Sequence, residues 1–159
     1  MPVIYLSTEI HASPERRFDL SRSIDLHQIS TAASGERAIG GTRSGLISMN
    51  ESVTWKARHF GISQTLTSRI TAFDRPFHFR DEQQKGAFKY IIHDHYFDGR
   101  PGTALMRDVF NFQSPLGFLG SLADYLFLKK YLLKLLMERN RVIKEFAESQ
   151  KGDLLLSVQ

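Results

Sequence analysis

Cysteine is absent from all 159 residues, which excludes disulfide frameworks, thiolate zinc sites and thiol nucleophiles. A chain without disulfides suits a reducing compartment, and a cytoplasmic location is the expectation. No secretory leader is expected either, since Met1-Pro2-Val3-Ile4-Tyr5 has neither the basic stretch nor the apolar core that one needs. Long apolar runs are also lacking. The richest region, Leu116 to Met137, is interrupted by Asp124, Lys129, Lys130 and Lys134, so no transmembrane segment is expected. There is no internal repeat and no low-complexity block.

What remains is the composition of an ordinary globular protein, 42% hydrophobic and 24% charged. The length suits one domain with a substantial core. Phenylalanine carries the aromatic content, 12 residues against 5 Tyr and 1 Trp. That load fits a curved sheet or the wall of an apolar pocket. The formal net charge is +4, but the lysines and arginines are scattered and read as a solvated face rather than a nucleic-acid surface.

Hydrophobic periodicity places the elements. Val3 to Ile10 alternates as a strand. Ser13-Pro14-Glu15 is a helix start, with Ser as the cap and Pro at the first helical position, and a second short helix begins near Ser23. From Ala38 to Phe112 the pattern is β. Strands are predicted over Ala38–Ser48, Ser52–His59, Gln64–Phe73, Phe77–Gln83, Phe88–Phe97 and Thr103–Phe112, with Asp98-Gly99-Arg100-Pro101-Gly102 as the plainest turn. A long helix follows over 118–148, and residues 151–159 read as a tail. The result is an α+β chain with a single domain over 1–150. Its antiparallel sheet of about seven strands needs one face covered, and the long amphipathic helix is the obvious cover.

The stretches Glu36-Arg37-Ala38-Ile39-Gly40-Gly41, Val53 to Gly61, His93-Asp94-His95-Tyr96-Phe97, Gly102-Thr103 with Asp108, and Pro115 to Gly120 resemble the SRPBCC superfamily. That superfamily includes START domains, pollen-allergen-like proteins and aromatic polyketide cyclases. The small bacterial members described as polyketide cyclase/dehydrase or lipid-transport-like are the most similar, over roughly residues 3 to 148. The resemblance implies a helix-grip fold, in which a curved sheet wraps the C-terminal helix around an apolar ligand cavity. It brings no catalytic set, because the superfamily shares none.

The residues themselves supply the candidates. On the long helix Tyr125, Leu128, Leu132, Leu135, Leu136, Val142, Ile143 and Phe146 form one apolar arc at 100° per residue. Arg139 lies within it and must find a carboxylate such as Asp81 or Asp108, a way out to the cavity mouth, or a ligand. Leu119, Leu126, Leu133 and Met137 form a second stripe. It is available to pack under the two short helices, to form a homodimer, or to make peripheral membrane contact. His93 and His95 share a strand face, and a four-residue loop of Gly99 to Gly102 would put His93 opposite Asp108. These three residues are the catalytic candidates of a cyclase- or dehydratase-type reading, in which a His–Asp pair orients a general base.

His-x-His is too little to specify a metal without further ligands from His59, His78, Asp81 or Asp108, and no metal is expected. Gly40-Gly41-Thr42-Arg43-Ser44-Gly45 lacks the Gly-Lys-Ser/Thr ending of a phosphate loop, and no cofactor is expected. Trp55, Phe79 and Tyr90 are candidates for stacking on a flat ligand. With His59, Asp81, His93, His95, Asp108, Leu132, Leu136 and Arg139 they make up the expected binding set. Three functions stay open at this point: a binding protein for a small hydrophobic or amphipathic molecule, an enzyme, and an interaction module whose cavity is filled by its own side chains.

Overall fold

The computed structural model describes residues 2–159. Strand β1 (Val3–Glu9) is followed by two short helices, α1 (Pro14–Ser21) and α2 (Ile24–Ser30). Both start where the sequence signals them. Ser13 Oγ accepts from the Arg16 amide and Ser23 Oγ from the Leu26 amide, so each helix is capped by a serine hydroxyl. Six strands follow: β2 (Arg37–Gly41), β3 (Ser52–His59), β4 (Ile62–Asp74), β5 (His78–Lys85), β6 (Tyr90–Phe97) and β7 (Leu105–Gln113). All seven form one antiparallel sheet in the order β1-β7-β6-β5-β4-β3-β2. Bulges between Ala38 and Gly40 and within β4 bend it.

Only the first part of the strand expected over Ala38–Ser48 forms. β2 stops at Gly41, whose φ of 68° turns the chain out of the ladder in a region that favours glycine. A Cβ at this position would lie 2.1 Å from the Ser52 carbonyl oxygen. The connection then returns to the core through Ile47, which is buried.

The C-terminal rod is helical throughout, as α3 (Gly117–Ala123), a π-turn (Asp124–Leu128) and α4 (Lys129–Ala147). Residues at both junctions keep right-handed helical backbone angles. The π-turn inserts a residue into the helical repeat, so the apolar arc projected from α4 does not extend through it. Tyr125, expected on that arc, is exposed, whereas Asp124 is buried and takes the Ser114 amide at 3.0 Å. From Leu128 onward the arc holds: Leu136, Val142, Ile143 and Ala147 are buried.

Residues 151–159, read from the sequence as a tail, include a further short helix, α5 (Gln150–Leu156). Leu155 and Leu156 pack on the main core. Arg16 clamps this helix through the carbonyls of Ala147 and Ser149 and through Asp153.

The core lies between the sheet and the helices. Phe18 of α1 meets Phe73, Phe79 and Phe97 edge-on at centroid distances of 5.2–5.3 Å. A second cluster of Ile4, Ile91, Phe110, Phe112 and Leu136 packs the first half of α4 against β1, β6 and β7. This is the helix-grip architecture, with α1 and α2 closing one end and the rod laid across the inner face of the sheet.

Candidate functional site

Along β6 the side chains alternate as a half-buried strand dictates. Ile91, His93, His95 and Phe97 point inward. On the other face His78 and Arg80 bind Asp94 at 2.7 and 2.8 Å, and His78 stacks on Tyr96. His78 is therefore spent on the outside of the sheet, away from His93 and His95.

Behind the inner pair stands Asp108. The ladder places His95 opposite Asp108 and His93 opposite Phe110. The register thus differs by two residues from the one a four-residue loop would set. Asp98 closes the turn by donating to the Leu105 carbonyl, so the connection is longer than Gly99 to Gly102. An even shift leaves every side chain on its face, and His93 still reaches Asp108 diagonally, with Nε2 2.8 Å from Oδ1. His95 Nδ1 lies 3.2 Å from the same oxygen, and its Nε2 lies 2.8 Å from Asp81 Oδ2 on β5. The ring of His95 stacks on Phe79 at 4.1 Å, and its other neighbour is His93 at 3.7 Å.

From α4, Arg139 and Asn140 complete the cluster. Asn140 Nδ2 donates to Asp108 Oδ2 at 2.6 Å and to Thr8 at 3.0 Å. Arg139 donates to the Ser21 carbonyl and to Asn140 Oδ1, and its Nη1 stands 3.6 Å from Asp108. Of the partners expected for Arg139, Asp108 is the carboxylate it finds.

Burial alone would raise the pKa of Asp108. The hydrogen bonds from His93 and His95 and the charge of Arg139 outweigh it and hold this carboxyl well below the usual range. The same opposition acts on Asp81: burial raises it, while the His95 hydrogen bond and nearby positive charge bring it down to about 2. His93 is pushed down to about 4 by burial and by its neighbour His95, against the pull of the two aspartates.

A cavity of about 390 Å³ opens beside this cluster, between the sheet and the rod. It is therefore not filled by side chains, as the interaction-module reading expected. Its apolar wall includes Trp55, Phe79, Ile91, Phe110, Leu132 and Leu136, while Asp81, His93, His95 and Arg139 supply a polar end. His59, also on the wall, meets the Tyr131 hydroxyl at 2.6 Å.

Two expected residues stand apart. Asp108 is sealed behind the histidines rather than lining the space, and Tyr90 falls on the strand positions that alternate away from it. Tyr131, Asn140 and the His27–Glu36 pair, at 2.9 Å with His27 against Trp55, were not singled out from sequence. The adjacency of Asn140 to Arg139 was the one available signal.

Asp81, His93 and His95 each offer an atom within 4.8 Å of the others, the spacing a metal ion needs. A cation there would have to break the His95–Asp81 hydrogen bond and sit near the guanidinium of Arg139. Without one, the two carboxylates already face Arg139 and the imidazoles.

No protein-family model matches the chain, and no curated protein matches it. Solved structures do. A protein from Thermus thermophilus, TTHA0849, superposes with a TM-score of 0.69 at 14% identity, over 89% of this chain and 97% of that one. Ginseng major latex-like protein 151 from Panax ginseng gives 0.67 at 16% identity, over 92% and 97%. A START superfamily protein from Mycobacterium smegmatis gives 0.68 at 13%, over 92% and 97%. These likenesses establish the fold.

Proposed function

We propose that this START-like helix-grip chain binds a small hydrophobic or amphipathic molecule between sheet and rod, as a carrier or a sensor of it. The observation that carries this reading is the cavity itself. Its size falls in the range of ligand pockets, its wall is mostly apolar, and a few fixed polar groups lie at one end to set orientation. Lipids and aromatic metabolites have the matching chemistry, an apolar body with a polar group to meet Asp81 and the histidines.

The single tryptophan, Trp55, lines the cavity and serves as an internal reporter. Native mass spectrometry of protein from its own host should show a bound small molecule, and anilinonaphthalene sulfonate should enter the cavity and quench Trp55. Leu132→Phe should narrow the space and weaken the quenching of Trp55, while moving the thermal midpoint by less than about 4 °C. Undiminished probe binding in that variant, together with no co-purifying molecule, would refute the reading.

A cyclase- or dehydratase-type activity is the second reading, favoured by the 2.8 Å His93–Asp108 pair that aims the other ring nitrogen of His93 at the Asp81 side of the cavity. A pKa near 4 keeps His93 unprotonated at neutral pH but makes it a weak base. For a carrier, His93→Gln costs about 1–2 kcal/mol of binding. For an enzyme it removes turnover by orders of magnitude while binding persists.

A further inference from the structure

The stretch from Pro115 to Phe127 exposes a run of large apolar side chains. Phe118 is 83% exposed, Tyr125 79%, Leu119 70% and Phe127 67%, with Leu116, Leu122 and Leu126 also in solvent. Its one charged residue, Asp124, is turned inward onto Ser114 and is 1% exposed. Contiguous apolar surface of this kind without charge marks a docking face. The next turns of the same rod carry Lys129, Lys130 and Lys134, all exposed and with no acidic partner among the described residues.

From this juxtaposition we propose that residues 115–134 form an interfacial docking element for an anionic lipid bilayer. The apolar turns enter the headgroup boundary, and the lysines engage lipid phosphates beside it. Charge selects this occupant over a second copy of the chain. In a two-fold pairing of this face, whichever way the rods run, the lysines of each copy would find no exposed carboxylate on the other's segment. The location supports it too. Pro115, Leu128, Tyr131 and Leu132, from the same stretch, line the cavity, and Phe60 at the β3–β4 tip packs on Tyr131 at 4.6 Å. The docking face thus borders the entrance through which an apolar ligand would pass between bilayer and cavity. The inference rests on the ligand-binding reading for its purpose, not for its geometry.

The test is co-sedimentation of the full chain with vesicles of phosphatidylcholine alone or mixed with phosphatidylglycerol. Binding is expected to the anionic vesicles, to weaken with added salt, and to fall roughly 30-fold for Lys129→Gln with Lys130→Gln. Phe118→Ser with Phe127→Ser should abolish it. Neither phenylalanine lines the cavity, so Trp55 quenching by the soluble probe should persist in that variant, which separates this proposal from the ligand reading. Absence of binding to anionic vesicles would overturn it. So would wild-type binding by the serine variant, or a dimer in light scattering that the serine variant dissociates.

Discussion

Replacing Asp108 by asparagine removes one charge and changes almost no volume, so its cost isolates the polar cluster. The carboxylate has two acceptor oxygens in use: Oδ1 faces His93 Nε2 at 2.8 Å and His95 Nδ1 at 3.2 Å, while Oδ2 takes Asn140 Nδ2 at 2.6 Å. An amide has one acceptor. Turned one way, Asn sets its NH₂ against the amide of Asn140; turned the other, it leaves His93 and His95 without the acceptor oxygen they share. Arg139, buried with its Nη1 3.6 Å from Oδ1, also loses its counter-charge. Removing one member of a buried ion pair costs about 3–5 kcal/mol, a large share of the roughly 5–15 kcal/mol that holds a domain folded. The assay is urea unfolding followed by Trp55 fluorescence. With a slope of about 2 kcal/mol per molar, the midpoint for Asp108→Asn should drop by roughly 2 M with the slope unchanged. Arg139→Met removes the orphaned cation, so Asp108→Asn in that background should cost less by about 1–3 kcal/mol. A loss under about 1 kcal/mol in the wild-type background would refute the account. Strict additivity of the two changes would do the same.

Acid should weaken the fold through His93. Its folded pKa of about 4 lies below the ordinary value of 6.5, so between those values the unfolded chain binds the extra proton and stability falls as pH drops. The loss is on the order of 3 kcal/mol from pH 7 to pH 4, read as the shift in urea midpoint. His93→Asn should flatten that profile, and an unchanged slope would rule the mechanism out. Gly152→Ala should release α5, because a Cβ there would lie 2.3 Å from the Phe146 carbonyl oxygen and 2.5 Å from Arg16 Nη2. The expected cost is about 1–3 kcal/mol, seen as faster amide exchange confined to residues near 150–159. Unaltered exchange there would mean that the helix is not held as described.

Periodicity carried most of the architecture. Alternation over Ser52–His59 and Phe88–Phe97, the serine caps before α1 and α2, and the apolar repeat from Leu128 to Phe146 are local patterns. Each needs only its own backbone geometry to be read, so strand count, antiparallel order and covering helix were all legible in the chain. So was the inward face shared by His93, His95 and Phe97, because side chains alternate strictly along a strand. Where the structure departed from that reading, a non-local or irregular feature decided. β2 ended at Gly41 because its backbone turns away and leaves no room for a side chain against Ser52. Tyr125 faced solvent because one extra residue in the π-turn rotated everything before it.

Local pattern thus determined which faces exist, what each presents, and that a helix must lie across the sheet. Only the tertiary structure decided which groups meet: that Asp108 joins both histidines, Arg139 and Asn140, that an open cavity remains beside them, and that residues 115–127 stay uncovered. The reason is physical. Alternation and helical repeat follow from geometry one residue at a time, whereas register, helix phase and empty volume depend on how distant segments settle against one another.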